Sequence, residues 1–93
     1  MSARADLPWT LRFHPQARTA LLRLDGEARR RILKTLHAIS HLEDPRTRGT
    51  GLRGNHTGFW RYRIGNYRVI CELIDSELVI VVLDIRHRST VYR

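Results

Sequence analysis

The stretch GFWRYRIGNYRVICE, residues 58–72, decides the fold of this chain. Apolar and polar residues alternate on both sides of a Gly-Asn pair, and a period of two indicates a half-buried strand. Gly-Asn between two such runs is typical of a two-residue hairpin turn. With Gly65 and Asn66 as the turn, the sequence predicts paired strands over about residues 57–64 and 67–74.

The predicted register places three arginines on one face of the hairpin. Arg63 pairs directly with Arg68, and Arg61 lies on the same face of its strand. Like charges opposite each other destabilise a sheet, and the adjacent sequence offers no acidic residue to offset them. A solvated sheet face and a bound anion are both open as explanations. Trp60 and Tyr62 alternate with the arginines and are predicted to face the core.

Length and composition favour a single domain, residues 1–93, with one modest core. Hydrophobic residues make up 42% of the chain, which is enough to fold without a disulfide framework. Cys71 is the single cysteine and cannot form an internal disulfide, which fits a reducing cytoplasm. No apolar run reaches the ~18 residues of a membrane span, and no secretion signal is evident. We therefore expect a cytoplasmic protein that does not contact a membrane.

The charge of the chain indicates a polyanionic partner. The net charge is +8, and Lys34 is the only lysine among 17 basic Lys and Arg residues. A GC-rich genome explains the choice of arginine as well as a function does. The location of the charge is more informative, because residues 45–71 contain six arginines and no acidic residue. The planar guanidinium fork suits phosphate.

Two helices are predicted before the hairpin. Pro15 fits the first turn of a helix that runs to about Leu24. Asp25 is a good N-cap for a second helix, and Asp44-Pro45 should end it because the residue before a proline avoids helical geometry. The predicted buried stripe of the second helix consists of Ile32, Leu33, Leu36 and Ile39.

Two further strands complete the predicted sheet. Residues 9–13, WTLRF, alternate as a strand does, and residues 77–86, ELVIVVLDIR, form the nearly continuous apolar run of a strand covered on both faces. The latter strand should be central, with the hairpin on one side and the first strand on the other. Segment 46–55 is predicted to be a mobile loop. The predicted class is α+β: an N-terminal strand and a helical hairpin, then a three-strand meander, forming a four-stranded, mostly antiparallel sheet.

Four short motifs, in order and at the right spacing, resemble the RelE/ParE superfamily of bacterial toxins. They are LRG at 52–54, WRYR at 60–63, NYRVI at 66–70 and IRHRSTVY at 85–92. The resemblance covers nearly the whole chain and is closest to RelE-type mRNA interferases. It implies a toxin of a type II toxin-antitoxin pair that acts as a ribosome-dependent endoribonuclease and cuts mRNA in the A site. The implied partners are a cognate antitoxin, the ribosome with its rRNA, and mRNA, and no cofactor is implied.

The resemblance also implies which residues form the site. The RelE pattern has basic residues, usually lysines, at the positions of Arg61 and Arg63, and it matches Arg68, Arg86 and Tyr92. ParE toxins share the fold but poison gyrase, and they do not keep this set. Beyond this set, the sequence predicts four further arginines as contacts to RNA: Arg46, Arg48, Arg53 and Arg88.

The identity of the general base is open. The implied reaction is attack of an RNA 2′-hydroxyl on its own 3′ phosphate. Arginines stabilise the charge of the phosphorane but are poor general bases, because a guanidinium has a pKa above about 12. Candidates are Tyr92, His87, His56 or a ribosomal group. Histidine titrates near neutrality and is chemically suited, whereas Tyr92 alone matches the family pattern.

Two other functions stay open at this point. One is a ParE-like inhibitor of gyrase without nuclease activity, and the other is a basic nucleic-acid-binding module. A metal site is not expected. His37 and His41 are four residues apart on the second helix, a spacing that can bind zinc, but a third ligand is not evident. We expect them to be surface residues.

Overall fold

The computed structural model of the chain describes residues 8–53 and 58–90, where two helices pack on one face of a five-stranded sheet. The helices are α1, Pro15–Arg23, and α2, Gly26–Ser40. The strands are β1, Thr10–Phe13; β2, Thr50–Gly51; β3, Phe59–Ile64; β4, Tyr67–Ile74; and β5, Val79–His87. Short 3₁₀ helices span Pro45–Arg48 and Arg88–Thr90.

Local capping sets where the two helices begin. Pro15 occupies the first turn of α1, as predicted, and the backbone N–H of Gln16 donates to the His14 side chain at 3.1 Å. The Asp25 carboxylate caps α2 by accepting from the Ala28 N–H at 2.8 Å, which confirms the predicted N-cap. The helix ends at Ser40, before the predicted proline boundary.

The buried stripe of α2 is narrower than predicted. Ile32, Leu36 and Ile39 are almost fully buried. Leu33 is 38% exposed, so its predicted burial was wrong. The reason is geometric: Leu33 follows Ile32 directly, and consecutive helical residues do not share a face.

The strands follow the order β1-β5-β4-β3-β2, with β1 parallel to β5 and every other pair antiparallel. The predicted central position of β5, between β1 and the hairpin, is confirmed. The sheet has five strands rather than the predicted four, because part of the predicted loop pairs with β3 through Thr50 opposite Arg61 and Gly51 opposite Trp60. Two residues are too short a strand to show an alternating pattern in the sequence.

The hairpin has the predicted register. Ile64 lies opposite Tyr67 and Arg63 opposite Arg68. Gly65 has a φ of +58°, a conformation that glycine adopts without steric cost, as the first central residue of a two-residue hairpin turn often must.

The core lies between the helices and one sheet face. Tyr62 on β3 is 1% exposed, and Trp60 is partly buried against the same cluster, so their predicted inward orientation is confirmed. Cys71 on β4 is fully buried, and burial raises the pKa of its thiol to about 12. In the described part of the chain, no helix is long and apolar enough to cross a bilayer.

Candidate functional site

A row of three arginines crosses the sheet face that points away from the helices. Arg63 on β3 lies opposite Arg68 on β4, and Arg68 lies opposite Arg86 on β5. Arg61 occupies the same face two residues away from Arg63 on β3, opposite Ile70. We call the face that carries Arg61, Arg63, Arg68 and Arg86 the arginine face.

A bulge in β5 puts Arg86 into this row. Val82 pairs with Cys71, whereas Asp84 pairs with the preceding residue of β4, Ile70, so Leu83 has no partner on that strand. One extra residue reverses which face the rest of the strand presents. Beyond the bulge, Ile85 therefore points into the core and is 7% exposed, and Arg86 points to the arginine face.

Asp84 shares the arginine face and holds the guanidinium of Arg86. Its Oδ2 accepts from Arg86 Nε at 2.5 Å, and its Oδ1 accepts from the Ile85 N–H at 2.9 Å. The Asp84 side chain is 15% exposed and that of Arg86 is 56% exposed. The carboxylate thus offsets part of the repulsion in the row and orients Arg86. This partner was not predicted from the sequence, although Asp84 is the residue that interrupts the apolar run of β5.

Two open hollows adjoin the row, and both are lined by arginines. One, about 410 Å³ in volume, lies at the hairpin turn, where Arg63, Arg68 and Arg88 meet. The other, about 340 Å³, lies towards the sheet edge, where Arg48 joins Arg61 and Arg63. The structure therefore brings two of the predicted RNA-contact residues, Arg48 and Arg88, to the arginine face.

Arg46 and Arg53 are placed differently. The Arg46 guanidinium binds Asp75 through two hydrogen bonds, of 2.5 and 3.2 Å, and Asp44 through one of 3.2 Å. It also lies 5.6 Å from the ring centre of Trp60, on the helix side of the sheet. These bonds raise the pKa of Arg46, chiefly through Asp75. Arg46 thus does not join the arginine face, and its predicted contact with RNA stays a prediction. Arg53 is an exposed residue after β2.

His87 also lies apart from the arginine row. It pairs with Tyr67 in the register, and the two rings meet edge to face with their centres 5.1 Å apart. Its Nδ1 lies 2.6 Å from the Ser89 hydroxyl and accepts from the Ser89 N–H at 3.1 Å. His87 therefore faces the opposite side of β5 from Arg86.

The other two candidate bases, Tyr92 and His56, lie outside the described residues. The rings of His37, on α2, and His41, the residue after α2, are tilted by 49° to each other with their centres 4.4 Å apart, and both residues are exposed. Within residues 8–53 and 58–90, the structure holds no cluster of three or more potential metal ligands from His, Cys, Asp and Glu.

Comparison with known proteins places the fold and the sequence in one group. Residues 11–92 match the family model described as the ParE toxin of type II toxin-antitoxin systems. The chain is similar to a structure of the toxin-antitoxin complex RelBE2 from Mycobacterium tuberculosis, with a TM-score of 0.80 and 27% identity over 89% of this chain and 94% of that one.

Two further solved structures are similar. The archaeal RelE–RelB complex from Pyrococcus horikoshii has a TM-score of 0.74 and 28% identity over 91% of this chain and 100% of that one. The isolated E. coli RelE toxin has a TM-score of 0.71 and 25% identity over 85% of this chain and 83% of that one. A search of curated protein sequences gave no significant match. The α+β class predicted from the sequence is confirmed by this likeness.

Proposed function

The chain belongs to the RelE/ParE superfamily of type II toxins, and from this we propose that it is an endoribonuclease that cleaves mRNA in the A site of the ribosome. The observation that carries the proposal is the row Arg63, Arg68 and Arg86 on one sheet face. Neighbouring strands are about 4.8 Å apart, so three guanidinium groups abreast can surround the oxygens of a single phosphate. Such a row is unfavourable on its own and favourable around an anion.

The proposed chemistry is intramolecular transfer at phosphorus. The RNA 2′-hydroxyl attacks the adjacent 3′ phosphorus and loses its proton, the bond from phosphorus to the 5′ oxygen breaks, and the leaving oxygen takes up a proton. Arg68 and Arg86 stabilise the extra negative charge of the phosphorane, and Asp84 keeps Arg86 oriented. Arg61 and Arg63 align the RNA backbone, which itself contributes to the rate.

Tyr92 is the protein group that we propose for proton transfer. It matches the RelE pattern, whereas the ring of His87 packs on Tyr67 on the opposite side of β5. Arg48 and Arg88 line the hollows beside the row, and with Arg53 they bind further phosphates of mRNA or rRNA.

A cognate antitoxin is the proposed protein partner, and the cytoplasm, where ribosomes lie, is the proposed location. The RelE chains of the M. tuberculosis and P. horikoshii structures were solved in toxin-antitoxin complexes. An antitoxin that covers the arginine face would keep the toxin from mRNA.

The test is cleavage on ribosomes. Purified protein is added to ribosomes with a defined codon in the A site, and the mRNA ends are mapped by primer extension. We expect cuts within the A-site codon, none without ribosomes, and none with Arg68→Ala. Arg18→Ala, which removes an exposed arginine from α1, is the charge-matched control and should stay active. Intact mRNA with the wild-type protein would refute the proposal.

Gyrase inhibition is the second candidate function, because the matching family model is that of the ParE toxin. A supercoiling assay with purified gyrase separates the two. Loss of supercoiling with intact A-site mRNA would establish the ParE-like activity. Normal supercoiling with cleaved A-site mRNA would exclude it.

A further inference from the structure

The chain crosses the open edge of the sheet between Arg46 and Arg48. The Arg46 guanidinium lies on the helix side of the sheet, near Trp60. Two residues later, Arg48 lines a hollow with Arg61 and Arg63 on the opposite side. At Gly49, between the 3₁₀ helix and β2, an added Cβ would come within 2.8 Å of the Tyr62 ring. The backbone at Gly49 therefore packs too closely against Tyr62 to leave room for a side chain.

Two sets of contacts fix the segment that crosses the sheet edge, and both lie on the helix side of the sheet. The buried Tyr62 hydroxyl donates to the Pro45 carbonyl at 2.9 Å, and Pro45 is itself buried. Arg46 joins the 3₁₀ helix to the turn between β4 and β5, because its two bonds to Asp75 link residues 29 positions apart. The Arg46 side chain is only 27% exposed. A two-pronged bond between guanidinium and carboxylate fixes both position and angle.

We propose that Arg46 is a positioning residue, which through Asp75 clamps the chain at the sheet edge and thereby holds Arg48 beside Arg61 and Arg63, where Arg48 binds an RNA phosphate. The RNA contact of Arg48 rests on the proposed function, but the clamp does not. Arg46 then affects RNA binding without touching RNA, and Asp75, an acidic residue, strengthens the binding of a polyanion.

The test is whether removal of the negative charge of Asp75 weakens or strengthens the affinity for ribosomes. The single variants are Arg46→Ala, Asp75→Asn and Arg48→Ala. Two double variants combine Arg48→Ala with Arg46→Ala or with Asp75→Asn. Affinity is measured for ribosomes whose mRNA carries a 2′-O-methyl group in the A site, which blocks cleavage. Amide hydrogen exchange is measured at Gly49, which donates to Arg46, and at Leu52, which donates to Phe59. Glu77→Gln, in the same turn as Asp75, controls for the loss of one negative charge.

We expect Arg46→Ala and Asp75→Asn each to weaken binding by up to about tenfold, the worth of one charged contact. Neither change should weaken binding further when Arg48→Ala is already present. Both should speed amide exchange at Gly49 and Leu52. Tighter or unchanged binding with Asp75→Asn, alongside weaker binding with Arg46→Ala, would overturn the inference, because Arg46 would then contact RNA itself.

Faster exchange with unchanged affinity in both variants would also overturn the inference and leave the clamp with a purely structural role. If the wild-type protein fails to bind ribosomes at all, the proposed function fails, and with it the RNA contact of Arg48. Exchange at Gly49 and Leu52 still shows in that case whether Arg46 and Asp75 hold the segment.

Discussion

At the scale of single residues, Asp84 provides the arginine row with a carboxylate that offsets part of its positive charge. The sequence suggested repulsion between Arg63 and Arg68 without a counter-charge, and the predicted register of those two residues is correct. The carboxylate two residues before Arg86 was not predicted from the sequence, because an uninterrupted strand with Val82 inward would turn Asp84 to the core side. Asp84 binds the guanidinium of Arg86 and offsets part of the repulsion within the row.

The first prediction separates activity from stability at Arg68 and Arg86. Arg68→Ala and Arg86→Ala should both abolish A-site cleavage. Arg68→Ala should leave the free energy of unfolding unchanged or raise it by some tenths of a kcal/mol, because a like charge is removed. Arg86→Ala should lower it by about 1 kcal/mol, because the largely buried Asp84 carboxylate loses its partner.

Urea denaturation of the purified variants measures these changes. Asp84→Asn combined with Arg86→Ala is the matched control, and it should recover most of the lost stability but none of the cleavage. Equal stability of both single variants would contradict the orienting role of Asp84.

The second prediction concerns proton transfer. Tyr92→Phe should slow the chemical step about 10²-fold or more, the usual contribution of a general acid or base. His87→Gln should change it only a few-fold, because His87 faces away from Arg86. Single-turnover cleavage on pre-bound ribosomes isolates this step. A large loss in His87→Gln beside a fully active Tyr92→Phe would reverse the assignment.

At the scale of the elements, the bulge in β5 decides which side chains reach the arginine face. The sequence hints at the bulge, because the apolar residues Val82 and Ile85 are three positions apart. Both face inward in the structure, which a strict period of two does not allow. The hairpin, the N-cap of α2 and the central position of β5 follow from local patterns and were predictable. The two-residue strand β2 and the bond of Arg46 to Asp75 depend on partners far away in sequence, which no local pattern reveals.

The third prediction follows from the bulge. Deletion of Leu83 removes the extra residue, so Asp84, Ile85 and Arg86 can keep their partners on β4 in a regular strand, with Ile85 inward and Arg86 on the arginine face. We expect this variant to stay folded, by urea denaturation, and to keep its cleavage on ribosomes. Leu83→Val, which keeps the extra residue, should likewise remain folded and active. A folded deletion variant without cleavage would show that the bulge does more than set the face to which Arg86 points.

The fourth prediction concerns pH and the core side of the sheet. Burial raises the pKa of Cys71 from 9.0 to about 12 and also raises that of Tyr62. The unfolded chain gives up these protons at lower pH than the folded chain does, so raised pKa values stabilise the fold below about pH 9 and this stabilisation is lost as the pH rises towards 12. Urea denaturation at pH 8 to 11 should show the decline.

Cys71→Ala provides the comparison. It should lower stability at pH 8 because it leaves a small cavity, but its stability should fall less steeply above about pH 9. Parallel curves for the two proteins would mean that the thiol does not titrate on unfolding.

At the scale of the whole molecule, charge is distributed unevenly. The net charge is +8, and the acid-free segment 45–71 supplies several of the arginines that line the outward face. Charge of one sign concentrated on a surface speeds and strengthens the binding of a polyanion. Binding to the ribosome should therefore depend steeply on salt.

The fifth prediction is the size of that dependence. Each phosphate contact contributes about 0.7 to 0.9 to the negative slope of log affinity against log salt. Arg48→Ala and Arg53→Ala should each flatten the slope by about one such step without moving the cleavage site, whereas Arg18→Ala should leave it unchanged. Titration of ribosomes at several salt concentrations measures the slope. An affinity independent of salt would remove the electrostatic account.

The parallel pairing of β1 with β5 has a consequence for biosynthesis. Leu11 pairs with Ile80 in the sheet, so most of the chain lies between these two neighbouring strands in the sequence. A nascent chain cannot complete this sheet until β5 has emerged from the exit tunnel, and contacts of such sequence separation form slowly. Because β5 also carries Arg86, the row of arginines is incomplete until β5 has been made and paired with β4. Under the proposed function, a nascent chain therefore has no complete site until β5 has emerged and paired with β1 and β4.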